Sequence, residues 1–249
     1  MFLKKILRHI KKRVVREIAI SECVHYCGFA YGKNAFNPYE QYCSSIVRDE
    51  NPAPRRQQFI DFLRFYRPKT MAAALGYTSA DQTPLWVYPW YDWPVGGPNI
   101  NNGWVDDPDD VPDLLTHFSD KGILEWRILE EFCWLERAFN SVQRHGYQPE
   151  KYGCFACVLP LIRKNNERRY LVLDGNHRIS ALSALGKSHC VATIEKEVRE
   201  ENVSTWPGVV AKFFSPESAL ALFNSYFDRS SAWKTTDIPA RLLYSKKYE

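Results

Sequence analysis

The chain has 249 residues, of which 45% are hydrophobic, 25% charged and 14% aromatic, and a formal charge of +4. That length and balance suit a globular protein with a full core and exclude a disordered or fibrous chain. Lys4, Lys5, Arg8, Lys11, Lys12, Arg13 and Arg16 supply seven of the positive charges. Removing them leaves the remainder near −3, which makes nucleic acid an unlikely partner, since such binding relies on many Lys and Arg contacts to phosphate.

Between those basic residues Phe2, Leu3, Ile6, Leu7, Ile10, Val14 and Ile18 recur at helical spacing. The pattern predicts a basic amphipathic helix over residues 2–18. Its apolar face either lies on an anionic membrane surface or docks on its own domain. It is too charged to span a bilayer and lacks the apolar core of a signal peptide. The expected location is therefore cytoplasmic, either throughout or peripheral at the inner membrane face. The seven cysteines (23, 27, 43, 133, 154, 157 and 190) form no disulfide framework, and buried thiols in a reducing compartment are expected. Cys154 and Cys157 have a metal-ligand spacing, but no second pair follows to complete a zinc site.

Residues 28–54 suggest loops with a short helix, residues 57–66 a helix ended by Pro68, and residues 70–75 a second helix ended by Gly76. Residues 85–89 suggest a strand, and Gly, Pro, Asn and Asp make 96–112 a loop, with Asp106, Asp107, Asp109 and Asp110 solvated. The longest helical pattern covers 123–143, with Glu130 and Glu131 assigned to its solvated face. Residues 155–162 then form a strand, 163–169 a polar turn, 170–173 a strand and 191–194 another. A late helix, 216–227, begins after Ser215 as its N-cap.

Between the strand at 170–173 and a helical face of Ala181, Leu182, Ala184 and Leu185 lies Asp174-Gly175-Asn176-His177-Arg178. A strand that turns at a glycine into a helix start collects free backbone N–H groups and the positive end of the helix dipole. Such a place receives anions. His177 and Arg178 add polar and cationic groups on that turn, and Asp174 puts a carboxylate where it can hold a metal or a proton. The combination suits a polyphosphate, although an Asp-Gly turn with a local ion pair is equally compatible with the five residues alone.

The order strand, turn, strand, Asp-Gly-Asn-His-Arg, helix, glycine, strand resembles the ParB/sulfiredoxin fold, loosely over residues 85–197 and well over 155–194. Sulfiredoxins carry a catalytic cysteine before the His-Arg pair, where this chain has Asn176. ParB proteins carry a Gly-Glu-Arg-Arg type motif and a helix-turn-helix region, which is not seen here. The motif is most similar to the Asp-Gly-His-His-Arg of the ParB-like free-serine kinases. The resemblance implies an α+β fold, with a ParB/sulfiredoxin-like mixed sheet and flanking helices over residues 85–249 and a helical extension over 1–84. It implies a kinase using ATP or ADP and Mg2+ to phosphorylate a hydroxyl of a small molecule or glycan. Asp174 is then catalytic and metal-linked, and Gly175, Asn176, His177 and Arg178 cradle the phosphates. Those kinases place a Glu after the opening strand as the base; here Asp92 stands there, with a role in supporting the loop as the alternative. A second function class is a non-catalytic nucleotide-binding switch that regulates a partner or membrane association.

Overall fold

The computed structural model describes residues 14–32, 35–48, 51–66, 70–77, 83, 87–91 and 125–228. Two apolar runs form the centre of its sheet. β3 (Ala156–Ile162) and β4 (Arg168–Asp174) pair antiparallel, and all of β3 except Cys157 is buried. The turn between them closes with Arg163 N–H donating to the Glu167 carbonyl and Asn166 in the left-handed region, which Asn tolerates better than most residues.

The remaining strands come from both ends of the described chain. β1 (Val14–Ala19) leads through a 3-10 turn (Ile20–Glu22) into β2 (Cys23–His25). β5 (His189–Ile194) runs parallel to β3 and antiparallel to β1, while β2 runs parallel to β4. The order is β1-β5-β3-β4-β2, and β6 (Val198–Arg199) pairs with the far end of β3. The sheet is mixed and open, with helices flanking it, so the chain is α+β.

Each helix start carries its local reason. α1 (Pro38–Val47) follows Asn37, whose side chain accepts from the N–H groups of Tyr39 and Glu40, with proline at the first helical position. Asn51 does the same for α2 (Pro52–Phe65), and Thr70 for α3 (Met71–Leu75), which Gly76 terminates at positive φ. α4 (Glu125–His145) buries Ile128, Phe132, Leu135, Phe139 and Val142 along one face. After the short α5 (Pro149–Tyr152) and the β3–β4 hairpin comes α6 (Asn176–Ala184), packed against both α4 and α1. A 3-10 segment (Glu200–Thr205), α7 (Pro207–Val210) and α8 (Pro216–Ser225, capped by Ser215) complete the described residues. The core is aromatic: Phe29, Tyr31, Tyr39, Tyr42, Phe59, Phe139 and Phe223 are fully buried.

Several expectations change. Residues 14–18, placed in the amphipathic helix by periodicity, form β1 instead; the rest of that helix lies outside the described residues. A β-branched run beside an antiparallel partner satisfies its backbone groups in the sheet, and that pairing overrides helical spacing. Residues 87–89 are not in a strand: Val87 and Tyr88 are buried, and the Pro89 carbonyl accepts from the Gly208 N–H. Residues 84–86 and the acidic loop 96–112 lie outside the described residues. Cys23, Cys27, Cys43 and Cys190 are buried as expected, whereas Cys133 and Cys154 are exposed and Cys157 is partly so. Among the described residues no helix is long and apolar enough to cross a membrane.

Candidate functional site

β4 ends at Asp174, and Gly175 turns the chain into α6 with φ of +90°, a conformation that L side chains rarely adopt. Space demands glycine as well. A Cβ there would stand 3.0 Å from the Cα and Cβ of Ala156 and 3.2 Å from Nη2 of Arg178. The turn therefore lies against the start of β3. Gly175 offers no side chain to cap α6, so the first-turn N–H groups keep the partnerless character that attracts anions.

The four following side chains divide between support and exposure. Asn176 is buried and accepts a hydrogen bond from the Tyr31 hydroxyl at 3.0 Å, which ties the helix start to the segment after β2. Arg178 donates to Asp174 Oδ2 at 3.0 Å and also to the Cys154 carbonyl. A guanidinium has five N–H donors, so those two bonds leave others for a ligand. The Asp174 side chain is 72% exposed, against 20% for Arg178, so the carboxylate faces solvent. His177 Nε2 lies 2.7 Å from Oε2 of Glu131 on α4.

Glu131 is 2% exposed, which corrects its assignment to a solvated face. It stands three residues after Ile128 and four before Leu135, within the apolar stripe of α4, and that spacing is the signal that could have found it. Behind it lies His25 on β2, also buried, whose Nδ1 accepts from the Cys27 N–H at 3.1 Å. Burial pushes the His25 pKa down to about 3; the Glu131 carboxylate pulls it up and His177 pushes it further down. His25 is therefore neutral, and His177 is the histidine that meets Glu131 from the surface side. The rings of Tyr39 and Trp134 flank His177 at 5.7 and 6.4 Å.

A cleft of about 400 Å³ opens onto the turn, lined by Asp174, Gly175, His177 and Arg178 together with α4 and residues 146–154. α4 contributes Arg137, an exposed side chain with no hydrogen bond or ion pair among the described residues. Tyr147 fixes the wall from below: its hydroxyl accepts from the Ala156 N–H at 2.9 Å and donates to the Val191 carbonyl at 3.0 Å. Burial raises its pKa, so the hydroxyl stays protonated and able to donate. Arg137 and Tyr147 escaped sequence reasoning because only the fold brings them to residues 174–178.

The structure thus gathers Asp174, Gly175, His177 and Arg178 at one cleft, whereas the Asn176 side chain turns inward to Tyr31 and Asp92 lies outside the described residues. Two arginines and a glycine whose replacement would strain the turn fit a phosphate chain. Among the described residues no group of three or more His, Cys, Asp and Glu side chains is placed to hold a metal. Asp174 offers a single exposed carboxylate, which is the usual protein share in a Mg2+ site completed by phosphate oxygens and water. No protein-family model, curated protein or solved structure matches this chain.

Proposed function

We propose that this protein is a nucleotide-dependent phosphotransferase of ParB/sulfiredoxin-like fold, moving phosphate from ATP or ADP to a hydroxyl of a small molecule or glycan. The observation that carries this reading is the cleft at the Gly175 turn, where a helix start, Arg178 and Arg137 face the same space as an exposed carboxylate. Phosphoryl transfer asks a protein chiefly for positioning and charge stabilisation, and this arrangement supplies both.

In this reading the backbone of Gly175 to Arg178 holds the phosphates, with the Arg178 guanidinium anchored by Asp174 and the Cys154 carbonyl so that its remaining donors point one way. Asp174 would hold Mg2+, which neutralises charge on the transferring oxygens when bound. The acceptor hydroxyl must also lose a proton. Asp92 is the candidate for that role on sequence position alone.

The test is turnover of ATP and ADP against a panel of free L-serine, glycerol and N-acetylglucosamine. Acceptor-dependent product release supports the reading, and Asp174→Asn should lower that turnover by a factor of roughly 10² while nucleotide still binds. Tight nucleotide binding with no turnover on any acceptor would select the alternative, a switch module that regulates a partner or membrane association.

A further inference from the structure

We propose that His177, held by Glu131, is the base that accepts the proton of the acceptor hydroxyl. The inference rests on the phosphotransferase reading and gives it a catalytic pair that the sequence does not show.

Three observations carry it. His177 lines the cleft and keeps 24% of its side chain exposed, whereas Glu131 behind it is sealed from solvent. The 2.7 Å contact joins the carboxylate to Nε2, so Nε2–H donates and the neutral imidazole keeps its free lone pair on Nδ1. Finally, the second imidazole near Glu131, His25, is neutral, its Nδ1 taken up by a backbone N–H. The buried carboxylate is thus bonded to the cleft-side ring, while the ring behind it is neutral. This is the arrangement that stabilises an imidazolium once a proton arrives.

The step balances with ATP as co-substrate. The acceptor O–H bond breaks and its proton moves to Nδ1 of His177. The acceptor oxygen forms a bond to the terminal phosphorus as the bond from that phosphorus to the bridging oxygen breaks, and the bridging electron pair leaves with ADP. With ADP as donor the leaving group is AMP. Glu131 is a positioning residue: it touches no reacting atom and fixes the tautomer and orientation of the ring.

Among the described residues, the groups around His177 come from several elements. Glu131 and Arg137 come from α4, Tyr39 from α1 and His25 from β2, while Asp174 and Arg178 share its turn. Tyr39 is pushed well up by burial and stays neutral. A kcat profile against pH in wild type and in His177→Gln gives a second readout of the base.

The experiment uses full-length protein with 15N-labelled histidine, assigned by His177→Gln, alongside kinetics with ATP and the acceptor that supports turnover. The expected spectrum has the proton on Nε2 and a bare Nδ1 at high pH. His177→Gln and Glu131→Gln should each lower kcat by about 10² or more, with ATP affinity within roughly threefold of wild type. In His177→Gln the acid limb of the profile should vanish, and Glu131→Asp should recover more activity than Glu131→Gln. A bare Nε2 with the proton on Nδ1 overturns the proposal even if the kinase reading stands. So does an acid limb that survives His177→Gln and disappears in Asp92→Asn, which would make Asp92 the base. An equal loss of ATP affinity and turnover also overturns it, because the ring would then be holding phosphate. If Glu131→Gln fails to fold, the spectrum of wild type and the profile of His177→Gln still decide. Wild type that binds ATP but phosphorylates no acceptor removes the kinase reading and the base assignment together.

Discussion

Arg178 makes its two protein contacts with Asp174 and the Cys154 carbonyl, and its remaining donors are what a phosphate would meet. Charge-assisted bonds of that kind contribute about 1.5–3 kcal/mol, so Arg178→Ala should weaken ATP or ADP binding about tenfold or more by isothermal titration. Unchanged affinity would remove the phosphate assignment. Gly175→Ala tests the turn itself. A methyl placed 3.0 Å from Ala156 backbone, at φ of +90°, should cost about 1–3 kcal/mol in denaturant unfolding and reduce binding as the turn shifts. Retained stability and affinity would mean that the turn relaxes freely. At this scale the five residues 174–178 were legible because they are consecutive and their chemistry is local. Glu131 was not, because charged residues on helices are usually solvated and its place in the apolar stripe of α4, packed against α6, makes it an exception.

Element boundaries followed local signals where those signals existed. The Gly175 turn, the Ser215 cap and the Gly76 stop sit where residue types demand them. Asn37 gives a measurable case. It is fully buried and caps α1 through two backbone N–H groups, so Asn37→Ala should lower stability by about 1–2 kcal/mol, read as a lower melting temperature. A melt equal to wild type would show that solvent or the neighbouring chain satisfies those groups. β1 was misread for the opposite reason. Its residues 14 to 17 are exposed, so no alternation marks a buried face, and its strand conformation depends on β5 far along the chain. No window of neighbouring residues contains that information.

At the scale of the molecule, charge and burial set the response to pH. His25 has its pKa lowered by burial to about 3, well below the usual histidine value, so between pH 6.5 and 3 the unfolded chain binds a proton that the folded chain refuses. Its contribution is complete above about pH 6.5 and is lost as pH falls towards 3. His25→Phe should therefore flatten the acid side of the stability curve, measured by urea unfolding between pH 7 and pH 4. An unchanged slope would mean that other groups govern acid unfolding. The basic residues before β1 make a separate prediction. If they form a lipid-binding surface, full-length protein should sediment with anionic vesicles at low salt, and deletion of residues 1–13 should abolish this while sparing nucleotide binding. The deletion must stop there, since residues 14–19 belong to the sheet. No sedimentation of the intact chain would remove the membrane partner.

The pairing of Val14 with Ile194 also sets an order of events in time. Strand β1 leaves the ribosome well before its partner, which is made about 180 residues later. β2 likewise waits for β4, and Glu131 emerges before the helix that carries His177. The sheet and the cleft are therefore completed only once residues 168–194 have been made. A nascent chain stalled before residue 194 would carry strand-forming segments with open edges, the state that invites chaperone capture or aggregation.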